Sequence, residues 1–269
     1  MTAGGDFHYD DGESLGLVCT AAPVPRDWPD LRALRFEFSS RGDRVPARLL
    51  LPPEGDGPFP VILLQHGIGG SKRADYIESS AGPWARRGAA VATIDFPLHG
   101  ERASAKLTES LIESLRDTGR TNRAVRILTR EFFQQAVVDL RRTVDALEAL
   151  PVADAERLAY GSFSLGTVVG ASFCDVDPRP RAAAFAIGGG GSGPPEFDPA
   201  VRVAGFAPRP SLYLNTTRDE VFSRESALAL FEGAGEPKQQ LWFEGAHAEL
   251  PGAALKAMWC FFDTHLGIS

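Results

Sequence analysis

Tyr160-Gly161-Ser162-Phe163-Ser164-Leu165-Gly166 is the stretch that decides the fold of this chain. Arg157-Leu158-Ala159-Tyr160, which leads into it, is a short apolar run of the kind a buried strand requires, and Gly166 to Phe173 reads as the helix that leaves it. A strand that turns at once into a helix forces strained backbone angles on the turn residue, so the positions two before and two after it must be small. Around Ser164 those positions are Ser162 and Gly166, which gives a G-x-S-x-G pattern with serine in place of the first glycine. Were Ser162 the turn residue, Tyr160 would fill a position that tolerates no bulk. Ser164 is the candidate nucleophile and Ser162 its rival; an ordinary turn serine is the alternative to both, because short Ser and Gly motifs arise by chance.

On the N-terminal side, Pro60 to Gln65 is continuously apolar, as a parallel strand covered on both faces must be, and it ends in His66-Gly67-Ile68-Gly69-Gly70. Ala89 to Asp95 repeats the form after a helix closed by Gly88. Farther out, Arg35 to Ser39 and Pro46 to Leu51 flank the turn Ser40-Arg41-Gly42-Asp43 and predict an antiparallel hairpin at the sheet edge. On the C-terminal side, Ala182 to Ile187, Ser211 to Asn215 and Gln239 to Phe243 read as three further strands. A helix is expected around Glu225 to Phe231, and a closing helix from Pro251 with Leu255, Met258, Trp259 and Phe262 on its apolar face. Strands alternating with helices imply right-handed crossovers, hence an α/β fold with a doubly wound, mostly parallel sheet of eight strands and helices on both faces.

The connection from Phe96 to Glu156 is longer than one crossover helix needs. Phe133, Ala136, Val137, Leu140, Val144 and Leu147 fall at helical spacing toward the sheet, which predicts that Asp139, Arg141, Arg142 and Asp145 point outward. Leu107, Leu111, Ile112 and Leu115 mark a shorter amphipathic helix, read as a small insertion near the mouth of the site. Residues 1–30, rich in Gly, Asp and Pro, are expected to form a surface arm that packs Trp28 against the body, and residues 31–269 a single α/β domain. The segments 103–128 and 188–210 are the ones that could form a cap.

At 269 residues and 43% hydrophobic, the chain is long enough for one large α/β core. A net charge of -7 offers no basic surface for nucleic acid. The N-terminal residues lack a basic start and an apolar core, and no apolar run approaches a membrane span, so a cytoplasmic protein is expected. Cys19, Cys174 and Cys260 are widely separated and outside any metal-ligand spacing, which predicts small buried hydrophobes rather than disulfides.

Together these features resemble the α/β-hydrolase family over roughly Arg35 to the C-terminus. The run from Val45 through Pro60 to Gly70 and the segment Asp95-Phe96-Pro97-Leu98-His99-Gly100-Glu101-Arg102 are similar to its dienelactone-hydrolase-like and acetylxylan-esterase-like branches. The resemblance implies a carboxylesterase-type serine hydrolase that cleaves small to medium esters through an acyl-enzyme, with a small-molecule ester as partner and no cofactor, metal, nucleic acid or membrane. A homodimer is compatible with the sequence, which does not fix the oligomeric state. In that family a serine, weakly nucleophilic alone, is activated by a histidine that a carboxylate orients. The acid follows the seventh strand and the histidine the eighth, positions held here by Asp219 and His247. Glu220 is the neighbouring rival for the acid. His66 and His99 match framework positions of the family, His8 lies in the arm and His265 in the terminal helix. The resemblance assigns the oxyanion-hole N–H groups to Ile68 and Leu165, with Gly67, Gly69 and Gly70 allowing close approach of their loop.

The same residues would serve a thioesterase, an amidase or a carbon-carbon bond hydrolase, and a non-catalytic use of the fold is a further alternative. Gly188 to Gly193 matches G-x-G-x-x-G after a strand, the fingerprint of a nucleotide-binding protein, but Pro194-Pro195 follows where a helix would have to open. Asp95 and His99 lack the further ligands of a metal site and are read as a structural turn. The helix bearing Leu107, Leu111 and Leu115 is expected to close one side of a pocket for short acyl groups.

Overall fold

A computed structural model describes residues 7–116 and 122–268, so residues 1–6 of the expected arm and 117–121 of the expected insertion lie outside the described residues. The N-terminal half contains β1 (Val18–Ala21), β2 (Arg32–Ser40), β3 (Asp43–Leu51), β4 (Phe59–Gln65), α1 (Asp75–Arg86), β5 (Ala90–Ile94), α2 (Ala105–Arg116) and α3 (Arg123–Glu148). Then follow β6 (Ala153–Phe163), α4 (Leu165–Val176), β7 (Ala182–Ala186), α5 (Pro199–Arg202), β8 (Ser211–Thr216), α6 (Arg224–Gly233), β9 (Lys238–Phe243) and α7 (Gly252–Leu266).

The strands form one mixed sheet in the order β1-β2-β3-β5-β4-β6-β7-β8-β9. β1, β2 and β3 pair antiparallel with their neighbours, and from β5 to β9 every pair is parallel. The apolar runs of the central strands serve both faces. On β4, Val61 and Leu63 join the core under α3 and α4, while Ile62 and Leu64 join the core under α1 and α7. A strand buried on both sides has no polar face to show, which is why its sequence does not alternate.

The topology creates one preferred place for a ligand. From β4 the chain crosses through α1 to β5 on one side, and α3 then carries it back to β6 on the other, so the winding reverses between β4 and β6. Their carboxyl ends lie side by side, with Gln65 opposite Ser162. Open α/β sheets hold ligands at this kind of switch point.

Several expectations are corrected. Nine strands are present among the described residues rather than eight, because β1 adds to the hairpin edge. Every residue of β1 is exposed, so it lacks the in-out alternation that would reveal it. The arm also reaches the interior: Phe7 is fully buried with its ring 5.2 Å from that of Phe197. Asp139 and Arg142, expected outward, are buried. Asp139 receives Arg102 at 2.6 Å and Gln135 at 2.7 Å, and Arg142 donates to the Glu13 and Ser39 carbonyls. Helical periodicity identifies the apolar stripe of α3 but not that the hairpin and the 95–102 loop cover its polar flank. Cys174 is buried as expected, whereas Cys19 on β1 and Cys260 on α7 are exposed. On α2, Leu111 enters the core and Leu107 faces out. No helix among the described residues is long and apolar enough to cross a membrane.

Candidate active site

β6 runs straight into α4, and Ser164 takes the turn between them with φ 52° and ψ -114°. This backbone is costly for any residue with a Cβ, of order 1–3 kcal/mol. It is held by the Ser164 N–H, which donates to the Ala186 carbonyl at 3.0 Å, and by the Ser164 carbonyl, which accepts from Thr167 N at 2.8 Å. Gly166 is small for a steric reason: a methyl there would stand 2.8 Å from the Gln65 carbonyl oxygen and 2.9 Å from that of His66. Ser162, two residues before the turn, is fully buried and donates to the Ala184 carbonyl at 3.3 Å, a role inside the sheet and away from the pocket.

His247 lies on the loop after β9 and Asp219 on the loop after β8. The imidazole Nδ1–H is shared between the two Asp219 oxygens at 2.9 and 3.0 Å, which leaves the Nε2 lone pair facing Ser164 Oγ at 3.0 Å. The carboxylate is fixed in turn by the N–H groups of Val221 and Phe222, at 2.8 and 2.9 Å. Burial pushes the Asp219 pKa up, but the hydrogen bonds from His247, Phe222 and Val221 outweigh it and hold the group below its ordinary value. Glu220 points elsewhere: it accepts the backbone N–H of His247 at 3.0 Å. The Phe222 ring packs against the imidazole, with centroids 5.7 Å apart.

The loop after β4 faces the serine. Among the described residues no protein acceptor takes the N–H of Ile68 or of Leu165, the first residue of α4. Neutral His66 holds the loop from beneath, its Nδ1–H donating to the Gly67 carbonyl at 2.7 Å and its Nε2 accepting from Phe96 N at 3.2 Å. Asp95 ties the same loop from the side by accepting the Lys72 backbone N–H at 2.8 Å, Lys72 Nζ at 2.5 Å and Glu101 N at 3.0 Å. His99 donates Nδ1–H to the Pro97 carbonyl. Asp95 and His99 thus belong to the framework of two loops.

A cavity of about 270 Å³ opens beside Ser164 and His247. Ile68, Phe163, Ile187, Leu250 and Leu255 form its apolar wall, and Tyr76 and Ser80 of α1 also line it. The wall comes from α1, α7 and the loops. The expected contribution from Leu107, Leu111 and Leu115 is absent from this cavity, because α2 packs its inner face on α3. Tyr76 and Phe222 carry no mark in the sequence as parts of the site, and Glu220, the rival for the acid, holds the His247 backbone instead of its ring. Tyr76 is one aromatic residue in an amphipathic helix, and no local pattern distinguishes it. After Gly193 the chain forms a short 3₁₀ turn, Pro195–Phe197, and the four-residue α5 starts only at Pro199, so the glycine run does not itself open a helix.

A family model described as acetyl xylan esterase (AXE1) matches residues 22–186, from the entry to β2 through the elbow to the end of β7. Esterase FrsA of Escherichia fergusonii is 36% identical over 75 residues, which are 28% of this chain and 18% of that protein. The match therefore spans less than a fifth of that relative's length. Among solved structures, a cold-adapted esterase from an Arctic intertidal metagenomic library superposes with a TM-score of 0.71 at 24% identity, covering 88% of this chain and 95% of that one. Acetyl xylan esterase from Paenibacillus sp. R4 does so with a TM-score of 0.75 at 16% identity, covering 94% and 89%. These likenesses show a shared fold.

Proposed function

The chain belongs to the acetyl xylan esterase (AXE1) family, and on that premise we propose that it is a carboxylesterase-type hydrolase that cleaves small to medium carboxylic esters through an acyl-enzyme on Ser164. The observation that supports this reading is the continuous relay from Ser164 Oγ through both nitrogens of His247 to Asp219, each link between 2.9 and 3.0 Å.

In the first half-reaction Ser164 Oγ attacks the ester carbonyl carbon while its proton passes to His247 Nε2. Asp219 keeps Nδ1 protonated and stabilises the imidazolium that forms. The carbonyl oxygen takes the negative charge and is met by the N–H groups of Ile68 and Leu165. Collapse breaks the bond to the alcohol oxygen, which leaves with the Nε2 proton. Water then attacks the acyl-serine by the same proton route and releases the acid. Ser162, engaged inside the sheet, has no base beside it.

The cavity bears on the substrate. Its aliphatic and aromatic wall offers little to the hydroxyls of a sugar and would favour an apolar substituent on one half of the ester. A fluorophosphonate that labels only activated serines tests the core of the proposal. Peptide mapping is expected to find the label on Ser164, with Ser164→Ala abolishing both label and turnover of p-nitrophenyl butyrate. Absence of label, or label on Ser162, would overturn it.

A further inference from the structure

We propose that the hydroxyl of Tyr76 is a third donor to the substrate's carbonyl oxygen, beside the N–H groups of Ile68 and Leu165. This inference rests on the reading of Ser164 as nucleophile and extends it to a residue on α1.

The phenol is already used as an acceptor. The Gly67 N–H donates to Tyr76 Oη at 2.8 Å, so the hydroxyl's own hydrogen must point elsewhere, and among the described residues it meets no protein acceptor. Tyr76 lines the same pocket as Ser164 and His247. A methyl on Gly67 would stand 3.1 Å from Ser164 Cβ and 3.6 Å from Tyr76 Oη, so the serine and the phenol flank the same glycine. A side chain at position 67 would crowd both groups, which accounts for the glycine there.

The group is rigid as well as near. Although the residue is 41% exposed, its ring stands edge-on to Phe163, with centroids 5.4 Å apart. The neighbouring Ile77 is anchored in the core under α1. A methyl on Gly70 would approach Tyr76 Oη to 2.6 Å, so the turn after Ile68 closes directly over the hydroxyl. Burial raises the phenol's pKa against the opposing pull of the Gly67 N–H, so the proton is retained at neutral pH. A fixed, neutral O–H aimed at the place where charge develops is what oxyanion stabilisation needs.

Tyr76→Phe is expected to lower kcat on p-nitrophenyl butyrate about tenfold to a hundredfold, with KM changed by less than about threefold. That substitution also removes the acceptor for the Gly67 N–H, so a second one separates the two roles. A difluorotyrosine incorporated in place of Tyr76 keeps the oxygen but ionises at lower pH. If the O–H serves the oxyanion, this variant loses activity as pH rises through its phenol ionisation, along a limb the wild type lacks. A phenolate that merely braces Gly67 would stay active, and that flat profile overturns the proposal, as does wild-type kcat in Tyr76→Phe. Fluorophosphonate labelling of the wild type is run alongside. Failure to label Ser164 would sink the underlying reading, whereas a labelled Ser164 with a flat profile sinks only the role of Tyr76.

Discussion

Glu220 accepts the backbone N–H of His247 at 3.0 Å, while its neighbour Asp219 receives the ring of the same histidine at 2.9 Å. Two adjacent carboxylates therefore hold one residue by different handles, and only one of them touches the imidazole. Asp219→Asn is expected to lower kcat by about 10⁴, as losing the charge behind a catalytic imidazole does. Glu220→Gln keeps an oxygen acceptor and is expected to lose less than about tenfold. Steady-state kinetics on one ester decide between them, and equal losses would mean that Glu220 acts on the ring.

The apolar cavity beside Ser164 sets a limit on chain length. Each well-fitting methylene is worth roughly 1–3 kcal/mol until the space is full, and overlap then reverses the trend. p-Nitrophenyl butyrate is expected to exceed the palmitate in kcat/KM, with no jump in rate at the solubility limit. Leu255→Trp, which fills the wall of the cavity, should move the optimum to shorter chains. A long-chain preference, or activation at an interface, would contradict the small-ester assignment.

Acid is expected to destabilise the fold in two successive windows. Burial, against the pull of the Gly67 carbonyl, lowers the His66 pKa from 6.5 to about 4. The unfolded chain therefore takes up this proton first, so stability is full above about 6.5 and declines as pH falls toward about 4. The hydrogen bond from Arg35, opposed by partial burial and helped by Lys72, holds Glu101 at about 2 instead of 4.5. Its contribution is present above 4.5 and is lost from there down to about 2. Calorimetry across this range should show Tm falling throughout, with a shallower slope between pH 6.5 and 4 in His66→Gln. An unchanged slope in that variant would place the upper titration elsewhere.

The Arg102–Asp139 pair is a buried interaction that single substitutions can break. Asp139 is fully buried and Arg102 only 8% exposed, with Asp43 at 2.9 Å as the arginine's other carboxylate. Asp139→Ala leaves the buried guanidinium with only the exposed Asp43 carboxylate and the Asp95 carbonyl, and is expected to cost about 3–5 kcal/mol. Arg102→Met combined with Asp139→Leu removes both charges and should recover most of that loss. Urea midpoints for Arg102→Met, Asp139→Leu and the double give the coupling, and strictly additive costs would mean that the pair does not act as a unit.

The sequence makes visible what local chemistry controls. The elbow can be read because a strand-to-helix turn admits only small residues at its flanks, so Ser162 and Gly166 point to Ser164. The central strands can be read because burial on both faces demands uninterrupted apolar runs such as Val61 to Leu64. Contacts between distant segments leave no such trace. Nothing around Asp139 announces that Arg102 will reach it from another loop, and Phe7 stands alone among polar residues with no period to mark it. β1 is invisible because its stability comes from backbone pairing with β2 rather than from side-chain burial. Tyr76 belongs with these. Its role depends on where α1 sets its hydroxyl relative to Gly67, a relation of nine residues in sequence and 2.8 Å in space.

The turn at Ser164 sets folding against chemistry at a single residue. With φ at 52°, glycine would relieve backbone strain there, so Ser164→Gly is expected to raise stability by about 1 kcal/mol. Selection for folding alone would therefore drift toward glycine at this position. If Ser164 is the nucleophile proposed above, its hydroxyl persists only while reactivity is worth more than a slightly firmer fold. A lineage that gave up hydrolysis would be expected to surrender this serine among its first changes, well before the apolar strands around it.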